Sequence, residues 1–387
     1  MSRSSSPHAV RLVTLVTAAL AASLAGACDD GAPPADTPWT WPLPPGFPAP
    51  RVPTDNPMGV EKVELGRRLF HDRRLSGNGS MACASCHVQA RAFTEDRATS
   101  VGSTGEVHPR NAMSLANAAY NTTQTWANPL LVALEAQALI PMFGTDPIEL
   151  GLAGAEDALL ARLAADPDYP PRFARAFGDD TITLDRVVKA IAAFQRALIT
   201  VDSPYDRFFY RGDVAAMSEA ALRGLDLFFS ERLECFHCHG GFNFNAASVH
   251  ATSGFVETPF FNNGLYNLNG TGAYPEGNRG LYEITLKSED MGRFKPPTLR
   301  NIALTAPYMH DGSLPTLEAV LDHYAAGGRL IEAGPLAGDG RASPHKSPFV
   351  RGFTLTADER ADLLAFLHAL TDTTFVNDPR FSDPFAP

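Results

Sequence analysis

The stretch Cys83-Ala84-Ser85-Cys86-His87 decides the fold, because two thiols and an imidazole at this spacing are what covalent attachment of a c-type haem requires. A second copy, Cys235-Phe236-His237-Cys238-His239, lies in the second half of the chain. In each copy the cysteines would form thioethers to the haem vinyl groups, while His87 or His239 would supply the proximal nitrogen to iron. A lone Cys-x-x-Cys pair can also be half of a zinc site or a redox dithiol. Two copies that both end in histidine predict two covalently bound haem c groups.

Residues 1–27 have the pattern of an export signal. Arg3 and Arg11 precede an apolar run from Leu12 to Leu24, and small residues follow it. The run is too short, and too soon followed by the acidic Asp29, to be a convincing membrane-spanning helix. We therefore predict a periplasmic or otherwise exported protein.

The fifth cysteine, Cys28, sits where a bacterial lipobox places the residue that is lipidated after cleavage. The match is imperfect, because Ala25 replaces the usual leucine. One acylated residue can carry more than one chain, which is what stable anchoring needs. A lipid anchor at Cys28, a plain cleaved signal and a retained anchor are the three open alternatives.

Length and charge narrow the classes of partner. The 387 residues leave room for two ordinary domains, each large enough to enclose a cofactor. Removal of residues 1–27 changes the formal net charge from −11 to −13, because two arginines and no acidic residue are lost. Such acidity argues against a nucleic-acid partner, which needs a basic face. It is compatible with a basic electron-donor protein, although an acidic surface also simply keeps a protein soluble.

Composition and breaks in the pattern predict the domain organisation. Residues 28–57 are rich in proline and include Trp39 and Trp41, so we expect an extended tether and not a packed element. Residues 58–203 and 204–387 are the two predicted haem domains, separated where a proline ends a helical pattern.

Apolar spacing predicts a mainly α fold of two cytochrome c-like domains with long loops. The predicted helices are Val60–Phe70, Ala155–Ala165, Leu184–Ile199, a helix capped by Ser218, Leu317–Tyr324 capped by Thr316, and Ala357–Leu370 capped by Thr356. The stretch from Asn262 to Gly280 is predicted to form loops. An internal duplication is indicated by the alignment of Gly66, Leu69 and Phe70 with Gly224, Leu227 and Phe228.

Several stretches together resemble the bacterial di-haem cytochrome c peroxidase and MauG family, over roughly Met58 to Asp372. They are Leu65–Phe70, the two haem motifs, Phe93-Thr94, Arg110-Asn111-Ala112, Trp126, Pro297–Asn301 and Ala306–Gly312. Within that family, Val101–Gly105 and Leu130–Glu149 look most similar to the MbnH-like branch.

The resemblance implies that the N-terminal haem meets hydrogen peroxide and the C-terminal haem relays electrons. Trp126 falls where the family has an aromatic residue between the haems, although a buried tryptophan is more often a core residue. Gln137 and Glu149 fall on the family's distal-pocket glutamine and glutamate. A carboxylate beside iron can move a proton from the near to the far oxygen of peroxide. Glu135 is the rival to Glu149, and a solvated helix face is the plain alternative for both.

The resemblance also implies a calcium site between the haems, formed by Asn111 and the backbone carbonyls of Thr305 and Pro307. Oxygen donors of these kinds suit Ca²⁺. From the sequence alone Asn111 would be a helix cap.

The sixth iron ligands separate the subfamilies. In the first half His108 is the nearest candidate, but it is more typical of a surface loop. At the second haem, the position of the family's ligating methionine falls on Tyr324, as in MauG-like proteins. A phenolate favours ferric and higher oxidation states of iron, whereas a thioether raises the reduction potential. Met309 is the runner-up ligand, followed by His310 and His323.

Three functions follow from these residues. The first is a MauG-like or MbnH-like enzyme that uses peroxide and a high-valent di-haem state to oxidise a tryptophan or tyrosine of a partner protein. The second is a conventional cytochrome c peroxidase, which reduces peroxide with electrons from a small cytochrome or cupredoxin. The third is a di-haem electron carrier without catalysis, against which the Glu149, Gln137 and Trp126 set argues.

Overall fold

The computed structural model describes residues 36–386, so the predicted export signal and Cys28 lie outside the described residues. Its helices are α1 (Val60–His71), α2 (Leu134–Phe143), α3 (Glu156–Ala164), α4 (Tyr169–Phe177), α5 (Leu184–Ala197), α6 (Pro204–Arg211), α7 (Glu219–Phe228), α8 (Phe236–His239), α9 (Tyr282–Thr285), α10 (Leu317–Ala325) and α11 (Ala357–Ala369). The described residues also form two short antiparallel strands, β1 (Leu330–Ile331) and β2 (Gly338–Asp339), and several short 3-10 helices. The predicted mainly helical fold is confirmed. None of the helices in this part of the chain is long and apolar enough to cross a membrane.

Polar side chains begin the helices where the sequence predicts caps. Ser218, Thr316 and Thr356 each accept a hydrogen bond from the backbone N–H three residues further on, at 3.1 to 3.2 Å. These bonds satisfy N–H groups that have no partner within the helix. The starts of α7, α10 and α11 are therefore fixed locally.

Two apolar cores lie on the two halves of the chain. The first core is built mainly from helices α1 to α5 and the first haem motif, and the second from α6, α7, α10 and α11. Phe375 and Phe381, which follow α11, pack into the first core and not the second. The end of the chain therefore ties the two halves together.

The same close helix crossing occurs once in each half. A Cβ atom on Gly66 of α1 would lie 1.9 Å from Ala190 O of α5. A Cβ atom on Gly224 of α7 would lie 2.0 Å from Asp362 O of α11. Only glycine allows the two backbones to approach this closely. The equivalence of the two crossings supports the internal duplication.

The proline-rich segment before α1 packs against the protein, so the prediction of an extended tether is wrong for residues 36–57. Asp36 accepts hydrogen bonds from two backbone N–H groups in the first turn of α1, at 2.8 and 3.2 Å. Phe47 is buried, with its ring edge-to-face against Tyr120 at 6.0 Å. Proline straightens the backbone here, but the aromatic residues between the prolines supply apolar area that is buried on folding.

A buried ion pair joins the start of α6 to the loop that precedes α10. Arg300 Nη1 donates to both carboxylate oxygens of Asp206, at 2.8 and 2.9 Å. Arg300 Nη2 donates to Phe242 O at 2.6 Å. Loss of one partner would leave an uncompensated buried charge, which is strongly destabilising. The pair therefore fixes this loop beside the second haem motif.

We expect Gly66→Ala and Gly224→Ala each to lower the free energy of unfolding by about 1–3 kcal/mol, because the added methyl group would overlap a carbonyl oxygen of the crossing helix. Gly254→Ala is the matched control, since no atom lies within 4 Å of a Cβ there. It should change the free energy by no more than about 0.5 kcal/mol. Denaturant titration of the haem-loaded variants measures all three. Unchanged stability of both crossing variants would show that the helices do not need to approach closely.

Candidate active site

The first haem motif orients its histidine through a backbone carbonyl. His87 is half-buried, and its Nδ1 lies 2.8 Å from Phe93 O. Because a carbonyl only accepts, Nδ1 must carry the hydrogen, which leaves Nε2 as the free nitrogen. Burial lowers the pKa of His87, so the ring is neutral, as an iron ligand must be.

The second motif repeats this arrangement. His239 Nδ1 lies 3.2 Å from both Phe244 O and Pro297 O, and burial lowers the pKa of His239 to about 4. Its Nε2 is therefore free and neutral as well. His239, Cys235 and Cys238 line a cavity of about 220 Å³, which we call the second-motif cavity.

The residues at both motifs fit covalent haem. Cys83, Cys86, Cys235 and Cys238 are all free thiols. Burial raises the pKa of Cys83 to about 12 and that of Cys86 to about 11, so neither thiol is a ready thiolate ligand for zinc. Paired thiols beside a neutral imidazole with a free Nε2 are the donor set of haem c.

Glu149 faces the first motif. Its Oε1 lies 4.0 Å from His108 Nε2, and its charge helps to raise the pKa values of Cys83 and Cys86. Although 31% of the side chain is exposed, desolvation raises the pKa of Glu149 to about 7. A carboxyl group that changes charge near neutral pH can both accept and return a proton. His108, expected on the surface, lies half-buried beside this carboxylate.

Glu135, the rival to Glu149, is held in an ion pair. Its Oε1 accepts hydrogen bonds from Arg196 at 2.9 Å and from Asn56 at 2.7 Å. Burial alone would raise its pKa, but the neighbouring guanidinium and amide keep the pKa of Glu135 below its usual value. Glu135 is therefore a structural carboxylate. Gln137 lies half-buried on the same helix, α2.

Trp126 bridges segments from both halves. Its Nε1 donates to Asn111 O at 2.9 Å, and its own carbonyl accepts from the backbone N–H of Lys295 at 2.8 Å. Trp126 also lines the second-motif cavity. One bond holds the indole ring and the other holds the backbone of Trp126. The ring lies beside the second candidate haem site and contacts a segment that follows the first motif.

The three residues of the predicted calcium site line the same cavity. Asn111, Thr305 and Pro307 all contribute to its wall. Asn111 Nδ2 donates to Arg97 O at 2.9 Å, so the side chain joins two loops. It does not cap a helix, as the residue alone would suggest. The structure brings these oxygen-bearing residues together, and calcium coordination stays a prediction.

Both main candidates for the sixth ligand of the second haem line the second-motif cavity with His239. They are Tyr324 and Met309, and the side chain of Asn263 contacts both. Asn263 Nδ2 lies 3.2 Å from Met309 Sδ. Burial raises the pKa of Tyr324, so without a metal its phenol stays protonated.

The two histidine alternatives differ in their surroundings. His310 also lines the second-motif cavity, and its buried Nε2 has no hydrogen-bond partner among the described residues, so His310 stays open as a ligand. His310 stacks on Phe294, with ring centroids 3.7 Å apart. His323 Nε2 lies 3.0 Å from Asn263 O and must donate to it. His323 also does not line the second-motif cavity.

Sequence reasoning missed Asn263 and the buried Lys295. Asn263 lies in a stretch correctly expected to form loops, where no periodicity distinguishes one asparagine from the next. Lys295 precedes two prolines and would ordinarily be a surface residue. No local pattern in the sequence indicates that this lysine is buried.

Each haem-attachment motif lies beside a similar pair of crossing helices. The candidate proton-transfer carboxylate, Glu149, lies near the first motif, and the candidate iron-ligating tyrosine, Tyr324, lies near the second. Together these features define a di-haem c-type cytochrome whose first site resembles an enzyme active site. A family profile described as di-haem cytochrome c peroxidase matches residues 60–215, and one described as RoxA-like, cytochrome c-like matches residues 293–326.

The chain is 35% identical to the cytochrome-c peroxidase IdrP1 of Denitromonas iodatirespirans, over 98% of both chains. It is 34% identical to the methylamine utilization protein MauG of Methylorubrum extorquens, over 82% of this chain and 80% of that protein. A solved MauG-like protein associated with microbial copper homeostasis is 53% identical, with a TM-score of 0.87, over 90% of this chain and 100% of that chain.

The chain belongs to the di-haem cytochrome c peroxidase and MauG family. This membership confirms the predicted family and the predicted enzyme class, a di-haem peroxidase. It also implies two covalently bound haem c groups.

Proposed function

We propose that this protein is a hydrogen-peroxide-dependent peroxidase of the MauG-like type, which oxidises a tryptophan or tyrosine of a partner protein. The observation that carries the proposal is Tyr324, which lines one cavity with His239 and the cysteines of the second motif. The similarity to MauG proteins and to a MauG-like structure supports the same reading, and the MbnH-like branch remains our narrower assignment.

Glu149 handles the proton at the first site. When bound, haem c supplies the redox chemistry, and the protein's part is to move a proton between the two peroxide oxygens. A carboxylate with a pKa of about 7 can accept the proton and return it at neutral pH. His108, 4.0 Å away, is close enough to hold a water molecule or peroxide against Glu149. Gln137 would contribute an amide donor to the same pocket.

Trp126 serves as the connection between the two halves. The indole N–H of Trp126 donates to Asn111 O, and the backbone of Trp126 is held by Lys295, so the ring has little freedom to rotate. Fixed aromatic rings exchange electrons with less rearrangement than mobile ones. Trp126 would therefore pass oxidising equivalents from the first site toward the His239 site.

Tyr324 sets the character of the second site. A hard phenolate oxygen favours iron in its higher oxidation states, which suits the storage of oxidising equivalents. The side chain of Asn263 contacts the hydroxyl and lowers the energy of its charged form. Deprotonation of a buried phenol would be costly without such a partner and a metal.

A conventional cytochrome c peroxidase is the second candidate. Met309 lines the same cavity, with its sulfur 3.2 Å from Asn263 Nδ2, and would supply a thioether ligand instead. Several relatives are named cytochrome-c peroxidases. In this case the electrons would come from a small cytochrome or cupredoxin.

Further proposals concern the setting of the enzyme. We place it in the periplasm or another exported compartment, with possible lipid attachment through Cys28. Residues 58–203 would form the peroxidatic domain and residues 204–387 the electron-transfer domain. A Ca²⁺ ion at Asn111, Thr305 and Pro307 would stiffen the region between the haems.

Glu149→Gln should slow the reaction of the ferric holoprotein with peroxide by about 10²–10⁴-fold, because the amide cannot take up the proton. In the wild type the ionised carboxylate is the active form, so the rate should rise as the pH increases through about 7. This pH dependence should vanish in the variant. Stopped-flow absorption measures both effects.

Glu135→Gln is the control, since Glu135 lies in an ion pair with Arg196. Provided that it folds, it should keep the rate and the pH profile of the wild type. A Glu149→Gln variant with the wild-type rate and profile would remove Glu149 from the mechanism.

Tyr324→Phe should convert the second haem from six-coordinate to five-coordinate, because the phenyl ring offers no ligand atom. EPR of the ferric protein should then lose its low-spin signal and gain a high-spin one. Met309→Leu is the control and should leave the low-spin signal unchanged. The opposite pair of results would assign Met309 as the ligand and favour the conventional peroxidase.

A further inference from the structure

Lys295 is a buried cation without a partner among residues 36–386. Only 1% of the residue is exposed, and its Nζ makes no hydrogen bond to this part of the chain. A buried ammonium group usually has hydrogen-bond partners in the protein. Lys62 is an example, because its Nζ donates to Pro57 O at 2.7 Å and to Asn56 Oδ1 at 3.3 Å. An ammonium group taken out of water without such partners is strongly unfavourable. Lys295 is therefore placed for a partner that lies outside the described part of the polypeptide.

The position of Lys295 identifies where that partner lies. Lys295 lines the second-motif cavity together with Cys235, Cys238 and His239, and its backbone N–H donates to Trp126 O at 2.8 Å. Among the described residues, the wall of this cavity includes no cysteine or histidine of the first motif. A haem attached at the second motif is thus the group that Lys295 would meet.

No carboxylate of the described protein is available to neutralise Lys295. Glu234 is the only acidic residue that lines the described wall of the cavity. Its Oε1 contacts Arg351 Nη2, and its Oε2 lies 2.6 Å from His237 Nε2. Burial lowers the pKa of Lys295 to about 7, and no neighbouring charge opposes this effect.

We propose that Lys295 is a positioning residue whose ammonium group pairs with a propionate carboxylate of the haem at the second motif. Haem c is fixed to protein by thioethers at its vinyl groups and by histidine at its iron, so its propionates are the anions that it brings into the cavity. A charge-assisted hydrogen bond to a buried carboxylate satisfies both groups at once. The inference requires haem c at this motif and does not depend on which peroxidase reaction the enzyme performs.

The pair has two consequences for the second haem. A fixed positive charge near the porphyrin favours the reduced iron, so it raises the reduction potential. The backbone bond from Lys295 to Trp126 also links the haem edge to the indole between the two halves. Lys295 would therefore influence both the distance between Trp126 and the second haem and the reduction potential of that haem.

Spectroelectrochemical titration of the holoprotein at pH 8 tests the pair. Lys295→Met and Lys295→Gln should shift the midpoint potential of the haem at the second motif to more negative values, with a smaller shift of the other haem. Lys295→Arg should keep a potential near that of the wild type, because it keeps the charge. Lys62→Met is the matched control and should leave both potentials unchanged. Folded neutral variants with the wild-type potential would overturn the proposal.

A crystal structure of the haem-loaded wild type gives a check that needs no variant. Lys295 Nζ should lie within about 2.7–3.2 Å of a propionate oxygen. An Nζ bonded only to protein groups or water would overturn the proposal. A missing peroxide activity with an intact Lys295–propionate contact would instead contradict only the proposed function.

Discussion

A hydrogen bond from the Nδ1 of each haem-motif histidine to a backbone carbonyl is the constraint on which the sites depend. Phe93 O holds His87, while Phe244 O and Pro297 O hold His239. An imidazole has two nitrogens, so a hydrogen bond that fixes Nδ1 also fixes the direction in which Nε2 faces. The ring of Phe93 packs against Phe70 of α1 and Phe194 of α5, and that of Phe244 packs against Phe228 of α7 and Phe366 of α11. Each residue therefore lies beside a helix crossing that only glycine permits.

The two halves share this frame but differ in the chemistry that surrounds it. In the first half the carboxylate of Glu149, with His108 4.0 Å away, lies near the cysteines and can exchange a proton near neutral pH. In the second half the corresponding space is walled by Tyr324, Met309 and the buried Lys295. The two halves therefore share the helix crossing and the hydrogen bond that orients the histidine, but they differ in the side chains around each motif. This asymmetry is what a division between peroxide chemistry and electron relay requires.

Local features were predictable from the sequence, and long-range ones were not. The haem motifs and the helix caps depend on residues a few positions apart, and the alignment of Gly66 with Gly224 depends on repetition of the same pattern. The helix crossings at these glycines involve distant residues and were not predicted. The packing of residues 36–57 depends on the contact of Phe47 with Tyr120, which no local pattern shows. The difference between Glu135 and Glu149 depends on Arg196, which lies on α5, three helices after the α2 helix that carries Glu135. The positions of Asn263 and Lys295 in the wall of the second-motif cavity depend on the tertiary structure, so the sequence did not indicate a role for either residue.

The most direct measurement is EPR and visible absorption of the isolated ferric holoprotein, repeated after addition of stoichiometric peroxide without reductant. An open first haem and a second haem ligated by Tyr324 predict one high-spin five-coordinate signal and one low-spin signal. Peroxide should then produce a long-lived oxidised species without prior reduction. Two low-spin haems, with peroxide reacting only after half-reduction of the protein, would contradict this division of roles and identify a conventional cytochrome c peroxidase.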